Sequence, residues 1–352
     1  MKLSEFELIN RFKKFQNLSG RVIKGIGDDT AVLMLDAKRY QLFTTDMCVE
    51  DVHFDRSMPA RAIGWKALAV NVSDIAAMGG VPTCAVVSIG IPFAGSEGVT
   101  PKADPFPPGP KGGREGAAGG RTRSDPGRDP APCAGFVKGL YAGMHACAKK
   151  FGVSIVGGDT VKADKLVINV ALLGEVEKKN LVTRSGARQG DRVFVTGPLG
   201  NSFKSGKHLD FTPRVKEARF LVEHFKPSAM MDISDGLAGD LGHILKGSGV
   251  GAVLDEGKIP CAKGATLTQA LSEGEDFELL FTLSSVKARK LLQYQRDCAG
   301  HIEFSSRVKF KENSMCPDFV EIGVITSTPR KLMMKDIGGG VYPVILKGFT
   351  HF

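Results

Sequence analysis

Carboxylate side chains recur beside glycines and at the ends of apolar runs, and their types and spacing point most clearly to chemistry. The stretch GIGDDTAV places Asp28 and Asp29 side by side after two glycines. Adjacent like charges repel each other, so a bound cation is the simplest reason for this arrangement. The further carboxylates are Asp46 in FTTDM, Asp74 in NVSDIAAMGG, Asp159 in VGGDT, and Asp232 and Asp235 in DISDG. Since Mg²⁺ prefers hard oxygen ligands, we predict a magnesium site that also draws on Thr44 and Thr45.

Asp74 is the most informative of these aspartates, because it lies inside the apolar helical pattern PARAIGWKALAVNVSDIAAMGG. Pro59 suits the start of this helix, and Gly79 and Gly80 suit its end. A carboxylate buried in such a helix needs a partner or becomes protonated, and a metal ion supplies that partner. A lone aspartate at a turn is more often a cap or an Asx-turn. The metal prediction therefore rests on the whole set.

Neither common phosphate-binding loop is present. NSFKSGKH resembles the P-loop pattern GxxxxGK[ST], but Asn201 and His208 stand where glycine and a hydroxyl residue are required. GIGDDT fails the pattern GxGxxG because it ends in Thr30. A nucleotide, if one binds, is held by another device. VGGDT offers backbone N–H groups for this purpose, and TRSGARQGD offers Arg184 as a cation beside a turn.

The elements that must position these side chains alternate between strands and helices in both halves of the chain. A strand over 40–46 ends at Asp46, the helix opened by Pro59 follows, and CAVVSIGIP is a buried strand. This alternation predicts mixed α/β architecture, with a domain boundary near residue 175. Residues 93–135 are rich in Gly, Pro, Ala and Arg, with hardly an aliphatic side chain. They bury too little apolar surface to offset the entropy of ordering, which predicts a disordered insertion or an artefact of the sequence.

Composition restricts the class of protein. The chain has 352 residues, 42% hydrophobic and 24% charged, which suits a globular protein of two domains. No apolar run reaches the roughly 18–20 residues of a membrane helix, and the start lacks the core of a signal peptide, so we expect a cytoplasmic protein without membrane contact. Seven cysteines without a CxxC pair indicate reduced thiols. The net charge of +9 is spread along the chain, which does not favour nucleic-acid binding.

Taken in order, these motifs resemble the thiamine-monophosphate kinase family, part of the superfamily of aminoimidazole ribonucleotide (AIR) synthetase and selenophosphate synthetase. The resemblance rests on GIGDDTAV, TTDMCVEDVHF, IGWKALAVNVSDIAAMGG, VGGDT, TRSGARQGD, MDISDGLAGDLGHI and EGEDFELLF, and it covers nearly the whole chain outside 93–135. It implies an α/β (α+β) fold of two AIR synthetase-like domains, 1–175 and 176–352. The first of these would form a β-barrel with a second subunit of a homodimer. It also implies direct, in-line transfer of the γ-phosphoryl group of ATP to thiamine monophosphate, assisted by several Mg²⁺ ions.

The resemblance further implies roles for individual residues, without a covalent or general-base catalyst among them. The metal positions are Asp29, Thr44, Thr45, Asp46, Asp74, Asp159, Asp232 and Asp235. The ATP positions are Tyr141, Gly158, Asp159, Arg184 and Ser234. The substrate positions are His53, Glu275 and Phe349. Phe349 would stack on the thiamine rings, Glu275 would pair with the pyrimidine amine, and Asp28 would cap the turn before Asp29.

Two alternatives remain open at this stage. One is another enzyme of the superfamily, related to selenophosphate synthetase or to a purine-pathway synthetase. Selenophosphate synthetase normally carries a reactive cysteine in a Gly-rich N-terminal stretch, whereas no cysteine precedes Cys48 here. The other is a nucleotide-binding regulator without catalysis, against which the complete set of carboxylates argues. A local departure from the family is Glu273, where a glycine is common, and we expect it to alter the turn before Glu275.

Overall fold

The computed structural model describes residues 5–16, 18–92, 134–299 and 318–345. Nearly all of the predicted insertion 93–135 lies outside the described residues, and so does Phe349. The described elements are two β-sheets and the helices associated with them, in the mixed α/β architecture that the sequence predicts.

The first sheet has six described strands. They are β1 (Val22–Lys24), β2 (Ala31–Met34), β3 (Arg39–Val49), β4 (Val81–Pro92), β5 (Ser154–Ala163) and β6 (Val167–Glu177). Their order across the sheet is β1-β2-β3-β6-β4-β5, so β1 and β5 are its edges. The pairing of β4 with β5 is parallel, whereas β2 runs antiparallel to both β1 and β3. As described, the sheet is open and does not close into a barrel.

The second sheet has seven described strands. They are β7 (Arg192–Val195), β8 (Ala229–Asp232), β9 (Gly251–Asp255), β10 (Leu279–Leu283), β11 (Val320–Thr326), β12 (Leu332–Lys335) and β13 (Val341–Pro343). Their order is β13-β12-β9-β11-β7-β10-β8, and among these described strands only β9 and β12 pair in parallel. Asp232 is thus the last residue of an edge strand.

The described helices are interspersed with the strands along the chain. They are α1 (Glu5–Phe12), α2 (Ala60–Ala77), α3 (Ala134–Phe151), α4 (Ser202–Ser205), α5 (Lys207–Asp210), α6 (Val215–His224), α7 (Leu237–Ser248), α8 (Leu267–Ser272) and α9 (Ser285–Ala299). The prediction for α2 is confirmed: it starts directly after Pro59 and stops before Gly79, whose φ of 74° lies in the left-handed region that favours glycine.

The chain divides into two compact units. The larger unit comprises Met1–Thr44, Val72–Pro82 and Leu173–Phe352, and the smaller comprises Thr45–Asn71 and Thr83–Leu172. Strands β3, β4 and β6 and helix α2 each contribute residues to both units. The acidic motifs are therefore distributed over two units, and each set is positioned by the elements of its own unit.

The second sheet is buried on both faces, because the side chains along its strands alternate between two apolar clusters. In β7, Val193 and Val195 belong to a cluster with residues of α7, whereas Phe194 belongs to a cluster with residues of α6 and α9. In β8, Met231 joins the first cluster and Met230 the second. This two-sided burial fixes the end of β8, and with it the position of Asp232.

Two sequence expectations about strand ends are wrong. Strand β3 continues to Val49, so Asp46 lies inside the strand and not at its end. Asp159 likewise lies within β5, paired with Ser88 of β4. Strand ends depend on backbone pairing with a neighbour, which a polar side chain in the sequence does not reveal.

The predictions about the cysteines and about membrane-spanning helices can be compared with the structure. The described cysteines are free thiols, as predicted: Cys48, Cys84, Cys147, Cys261 and Cys298. Among the described residues, no helix combines the length and the apolar character needed to cross a membrane.

Candidate active site

A cluster of three carboxylates forms the centre of the candidate site in the larger unit. Oxygen atoms of Asp29, Asp74 and Asp232 all lie within 4.8 Å of one another. They come from the turn before β2, from α2 and from the end of β8. Asp29 and Asp232 are buried. Three carboxylates at this distance repel one another strongly in a poorly solvated site, so the cluster is suited to a bound cation.

Two hydroxyl hydrogen bonds support the cluster, one received by Asp74 of helix α2 and one donated by Ser73 of the same helix. The Thr44 hydroxyl donates to Oδ2 of Asp74 at 2.5 Å. The Ser73 hydroxyl donates to Oδ2 of Asp232 at 2.6 Å. These hydrogen bonds hold the orientation of two of the carboxylates, and Ser73 is a contributor that the sequence analysis did not identify.

Arg184 is the cation that faces Asp29. Its Nη2 and Nε donate to Oδ1 of Asp29 at 2.7 and 3.2 Å, and its backbone N–H donates to Oδ1 of Asp28 at 3.0 Å. Asp28 also forms an ion pair with Lys24. Asp28 thus anchors the turn, in the supporting role that we predicted for it, while Asp29 faces the cluster.

One Arg184 guanidinium does not fully compensate the buried charge of Asp29. The pKa of Asp29 is raised to about 7, mainly by burial and also by the charges of Asp232 and Asp28, although Arg184 acts in the opposite direction. The second oxygen of Asp29, Oδ2, is buried and has no hydrogen-bond partner among the described residues. An unpaired buried carboxylate oxygen is costly. The donor set therefore fits a divalent cation that accepts Oδ2 as a ligand.

A second group of possible ligands lies at the start of α7. One ligand atom from each of Asp235, Asp240 and His243 lies within 4.8 Å of the others. Asp240 accepts the backbone N–H groups of Asp235 and Gly236 at 3.0 and 3.1 Å, so it holds the turn that carries Asp235. Burial raises the pKa of Asp240, and burial lowers the pKa of His243 to about 4. His243 is therefore neutral near pH 7.

The sequence analysis missed Asp240 and His243, although both stand in the motif MDISDGLAGDLGHI. Their spacing of three residues places them on one side of a helix, and this signal was available in the sequence.

Several predicted site residues belong to the smaller unit. The Thr45 hydroxyl donates to Oδ1 of Asn169 at 3.2 Å, and the N–H of Asp46 donates to Oδ1 of Asn71 at 3.1 Å. These contacts fix the part of β3 that carries both predicted metal positions.

His53 and Tyr141 are also in the smaller unit. Nδ1 of His53 accepts the N–H of Val49 at 3.1 Å, so Nδ1 is unprotonated and the ring is held against its own loop. The buried Lys66 donates to the His53 carbonyl at 2.8 Å. Tyr141 lies exposed on α3. The loop that carries His53 is thus held in place by a buried lysine of the same unit.

Gly158 and Asp159 lie on β5, which is exposed along nearly its whole length. A Cβ at Gly158 would lie 1.7 Å from the carbonyl oxygen of Val87, so only glycine permits this approach to β4. Asp159 accepts the N–H of Thr160 at 2.8 Å and remains exposed. The remaining predicted positions, Ser234 and Glu275, are adjacent in the larger unit, where the Ser234 carbonyl accepts the N–H of Glu275 at 2.6 Å.

Comparisons with known proteins agree with this arrangement. The model of the family "AIR synthase related protein, N-terminal domain" matches residues 27–103 and 123–176, and the model of the corresponding C-terminal domain matches residues 183–298. The fold and its acidic site thus define a two-domain protein of the AIR synthase related class.

Similarity to known proteins identifies one family within this class. Thiamine-monophosphate kinase of Buchnera aphidicola subsp. Schizaphis graminum is 32% identical over 318 residues, covering 83% of this chain and 86% of the relative. The enzyme of Aquifex aeolicus is 33% identical over 308 residues, covering 80% and 86%. The chain belongs to the thiamine-monophosphate kinase family. The solved structure of AaThiL complexed with AMPPCP and TMP is similar with a TM-score of 0.72 and 29% identity, covering 100% of this chain and 99% of that one.

Proposed function

We propose that the protein transfers the γ-phosphoryl group of ATP to thiamine monophosphate, producing thiamine diphosphate and ADP. The observation that carries this proposal is the buried carboxylate cluster of Asp29, Asp74 and Asp232 in a member of the thiamine-monophosphate kinase family. The similar AaThiL structure contains an ATP analogue and TMP. Phosphoryl transfer between two phosphates gathers negative charge, and catalysis consists mainly of positioning the groups and neutralising that charge.

The residues present fit Mg²⁺, because the cluster consists of hard oxygen donors and leaves Oδ2 of Asp29 without a partner among the described residues. Mg²⁺ would supply charge neutralisation at the phosphates. We propose the same metal positions as the sequence analysis. In the larger unit they are Asp29, Thr44, Asp74, Asp232 and Asp235; in the smaller unit they are Thr45, Asp46 and Asp159.

The remaining site residues have roles that suit their chemistry. We propose Tyr141, Gly158, Asp159, Arg184 and Ser234 as contacts for ATP, and His53, Glu275 and Phe349 as contacts for thiamine monophosphate. Arg184 is the guanidinium beside the cluster and is suited to a phosphate oxygen. Glu275 supplies a carboxylate next to Ser234, suited to an amine donor.

The acceptor needs no general base in this scheme. The attacking atom is an oxygen of the phosphate of thiamine monophosphate, which is already ionised near pH 7. We therefore propose a direct in-line transfer without a phosphoenzyme, in which the side chains bind, orient and neutralise.

We further propose that the protein is a homodimer, formed through β5 into a shared barrel. Strand β5 is an edge strand whose Val156 and Val161 are 65% and 54% exposed. An exposed apolar edge strand is a template for pairing with another chain. The free thiols and the use of ATP support a cytoplasmic location. The proposed domains are 1–175 and 176–352.

A product assay tests the proposed function. The purified protein is incubated with ATP, Mg²⁺ and thiamine monophosphate, and thiamine diphosphate and ADP are quantified by chromatography. We expect equal amounts of the two products, and at least a hundredfold lower turnover with free thiamine, because none of the proposed site residues acts as a general base for its alcohol. Binding of ATP without formation of thiamine diphosphate would instead indicate a regulator, and comparable rates with thiamine would refute the proposed acceptor.

A further inference from the structure

The segment 273–278 carries the proposed substrate contact Glu275 in a strained backbone conformation. Glu275 and Phe277 have φ values of 55° and 50°, in the left-handed region that favours glycine. Their N–H groups donate to the carbonyls of Ser234 and Ile233 at 2.6 and 2.8 Å. Such conformations persist only where the surroundings hold them, and they concentrate at functional sites. The question is what holds this segment.

Asp276 holds the segment from its buried side. It is 0% exposed, and both of its carboxylate oxygens accept the N–H of Gly200, at 2.9 and 3.0 Å. Oδ1 also accepts the hydroxyl of Ser202 at 2.6 Å. Asp276 thus ties the residue after Glu275 to the turn 200–202.

Glu273 forms a second tie to the same turn. Its Oε2 accepts the N–H of Asn201 at 2.6 Å, and Asn201 itself has a φ of 62°. This contact gives a role to the residue that departs from the family pattern. The turn 200–202 and the segment 273–278 are therefore fastened to each other at two points.

Glu278 is the last residue of the segment, and its buried negative charge is compensated by two cations. It accepts Nε and Nη2 of Arg214 at 2.7 and 2.8 Å, Nζ of Lys207 at 2.9 Å, and the hydroxyl of Thr196 at 2.8 Å. Arg214 also pairs with Glu217 at 3.1 Å. Lys207 and Arg214 are therefore both paired with the buried carboxylate of Glu278. Lys207, the lysine of the P-loop-like stretch NSFKSGKH, is thus structural.

We propose that Asp276 is a positioning residue for thiamine monophosphate: by fastening the segment 273–278 to the turn 200–202, it holds the carboxylate of Glu275 where the substrate amine meets it. This inference rests on the proposed function. The carboxylate of Asp276 is buried against Gly200 and Ser202 of the turn, so it acts on substrate only through the segment. Its removal weakens the binding of thiamine monophosphate and leaves the binding of ATP unchanged.

The test compares KM values of Asp276→Ala, Asp276→Asn, Glu275→Gln and the double variant Asp276→Ala/Glu275→Gln. We expect Asp276→Ala to raise KM for thiamine monophosphate about tenfold, with KM for ATP within twofold of the wild type. Asp276→Asn keeps an acceptor for Gly200 and Ser202, so it should recover most of the loss. The double variant should be no worse than Glu275→Gln, because residues acting through one another are not additive.

The matched control is Glu177→Gln, which weakens a bidentate pair with Arg219 elsewhere in the same unit and should leave both KM values unchanged. If Asp276→Ala does not fold, Ser202→Ala tests the same tie with a smaller change and should raise the same KM. Equal increases in both KM values, or full additivity with Glu275→Gln, would overturn the positioning role. Absence of thiamine diphosphate formation by the wild type would instead overturn the proposed function.

Discussion

The guanidinium of Arg184 donates to Oδ1 of Asp29 at 2.7 Å, joining two loops that are 155 residues apart in the chain. Neither GIGDDTAV nor TRSGARQGD contains both halves of this pair. The contact leaves Oδ2 of Asp29 buried without a hydrogen-bond partner among the described residues. The described residues thus form a buried anionic centre with the guanidinium of Arg184 beside it.

Removing one carboxylate of the cluster should stop the reaction while the fold survives. We predict that Asp74→Asn lowers kcat by about 10²–10³-fold, since one charge-stabilising group in a preorganised site has an effect of this size. Asparagine retains an acceptor for the Thr44 hydroxyl, so circular dichroism and the melting temperature should change little. The same loss is expected for Asp46→Asn.

The control for these variants is Asp36→Asn, a carboxylate paired with Arg39 away from the cluster, which should retain its kcat. Near-normal turnover of Asp74→Asn at modest Mg²⁺ would remove Asp74 from the metal positions.

The pair of Glu177 and Arg219 should make stability depend on pH in the acid range. The hydrogen bonds from Arg219 lower the pKa of Glu177 from 4.5 to about 2. The pair therefore contributes fully above pH 4.5, and its contribution is lost as the pH falls from 4.5 towards 2. Because Glu177 is half-exposed, we predict that Glu177→Gln lowers the free energy of unfolding by only about 0.5–1 kcal/mol at pH 7. Thermal melts of both proteins at pH 7 and pH 3 measure this, and a difference that grows at pH 3 would contradict it.

The exposed edge of the first sheet should mediate the association of subunits. We predict that Val156→Lys, or Val161→Asp, converts a dimer into a monomer, because a charge on a pairing edge opposes its burial. Light scattering coupled to size-exclusion chromatography measures the mass. Val286→Lys is a suitable control, since Val286 is a comparably exposed valine on α9. A wild-type monomer, or a dimer that survives both substitutions on β5, would show that this edge is not the interface.

The part of the insertion that the family model skips, residues 104–122, should be dispensable. It contains none of the acidic motifs and almost no aliphatic side chains. The entropy of closing a loop changes by only roughly 0.6 kcal/mol per doubling of its length, so shortening it should affect stability little. We predict that its deletion leaves kcat and both KM values within about twofold. A deletion variant that folds but does not bind ATP would show that these residues contribute to the site.

The sequence indicated which residue types could form the site, and it indicated their geometry much less. The sequence predicted helix α2 correctly from its clear end residues, and carboxylates in glycine-rich or apolar surroundings indicated a shared site. The approach of Asp29, Asp74 and Asp232 to within 4.8 Å of one another is seen only in the folded chain. The sequence gives little sign of strand β9, because its short sequence GAVLD begins with glycine and shows no alternation.

Contacts between distant segments were the part that the sequence did not reveal. Lys207 lies in a stretch that resembles a phosphate-binding loop. Its ammonium nevertheless donates to Oε1 of Glu278, 71 residues further along the chain. The contacts of Asp276 could not be predicted from the sequence around it, because its partners lie in the distant turn 200–202. Side-chain pairing of this kind is set by tertiary packing, so it cannot be predicted from local propensity.

In the proposed reaction, the γ-phosphoryl group of ATP is transferred to the phosphate of thiamine monophosphate. The most direct measurement uses ATP labelled at the γ-phosphorus, Mg²⁺ and thiamine monophosphate, and locates the label in the products by chromatography and ³¹P NMR. We predict that all transferred label is found in the β-phosphate of thiamine diphosphate, one per ADP formed, and that no label stays on the protein. Label released as inorganic phosphate without thiamine diphosphate, or retained covalently on the chain, would contradict this account.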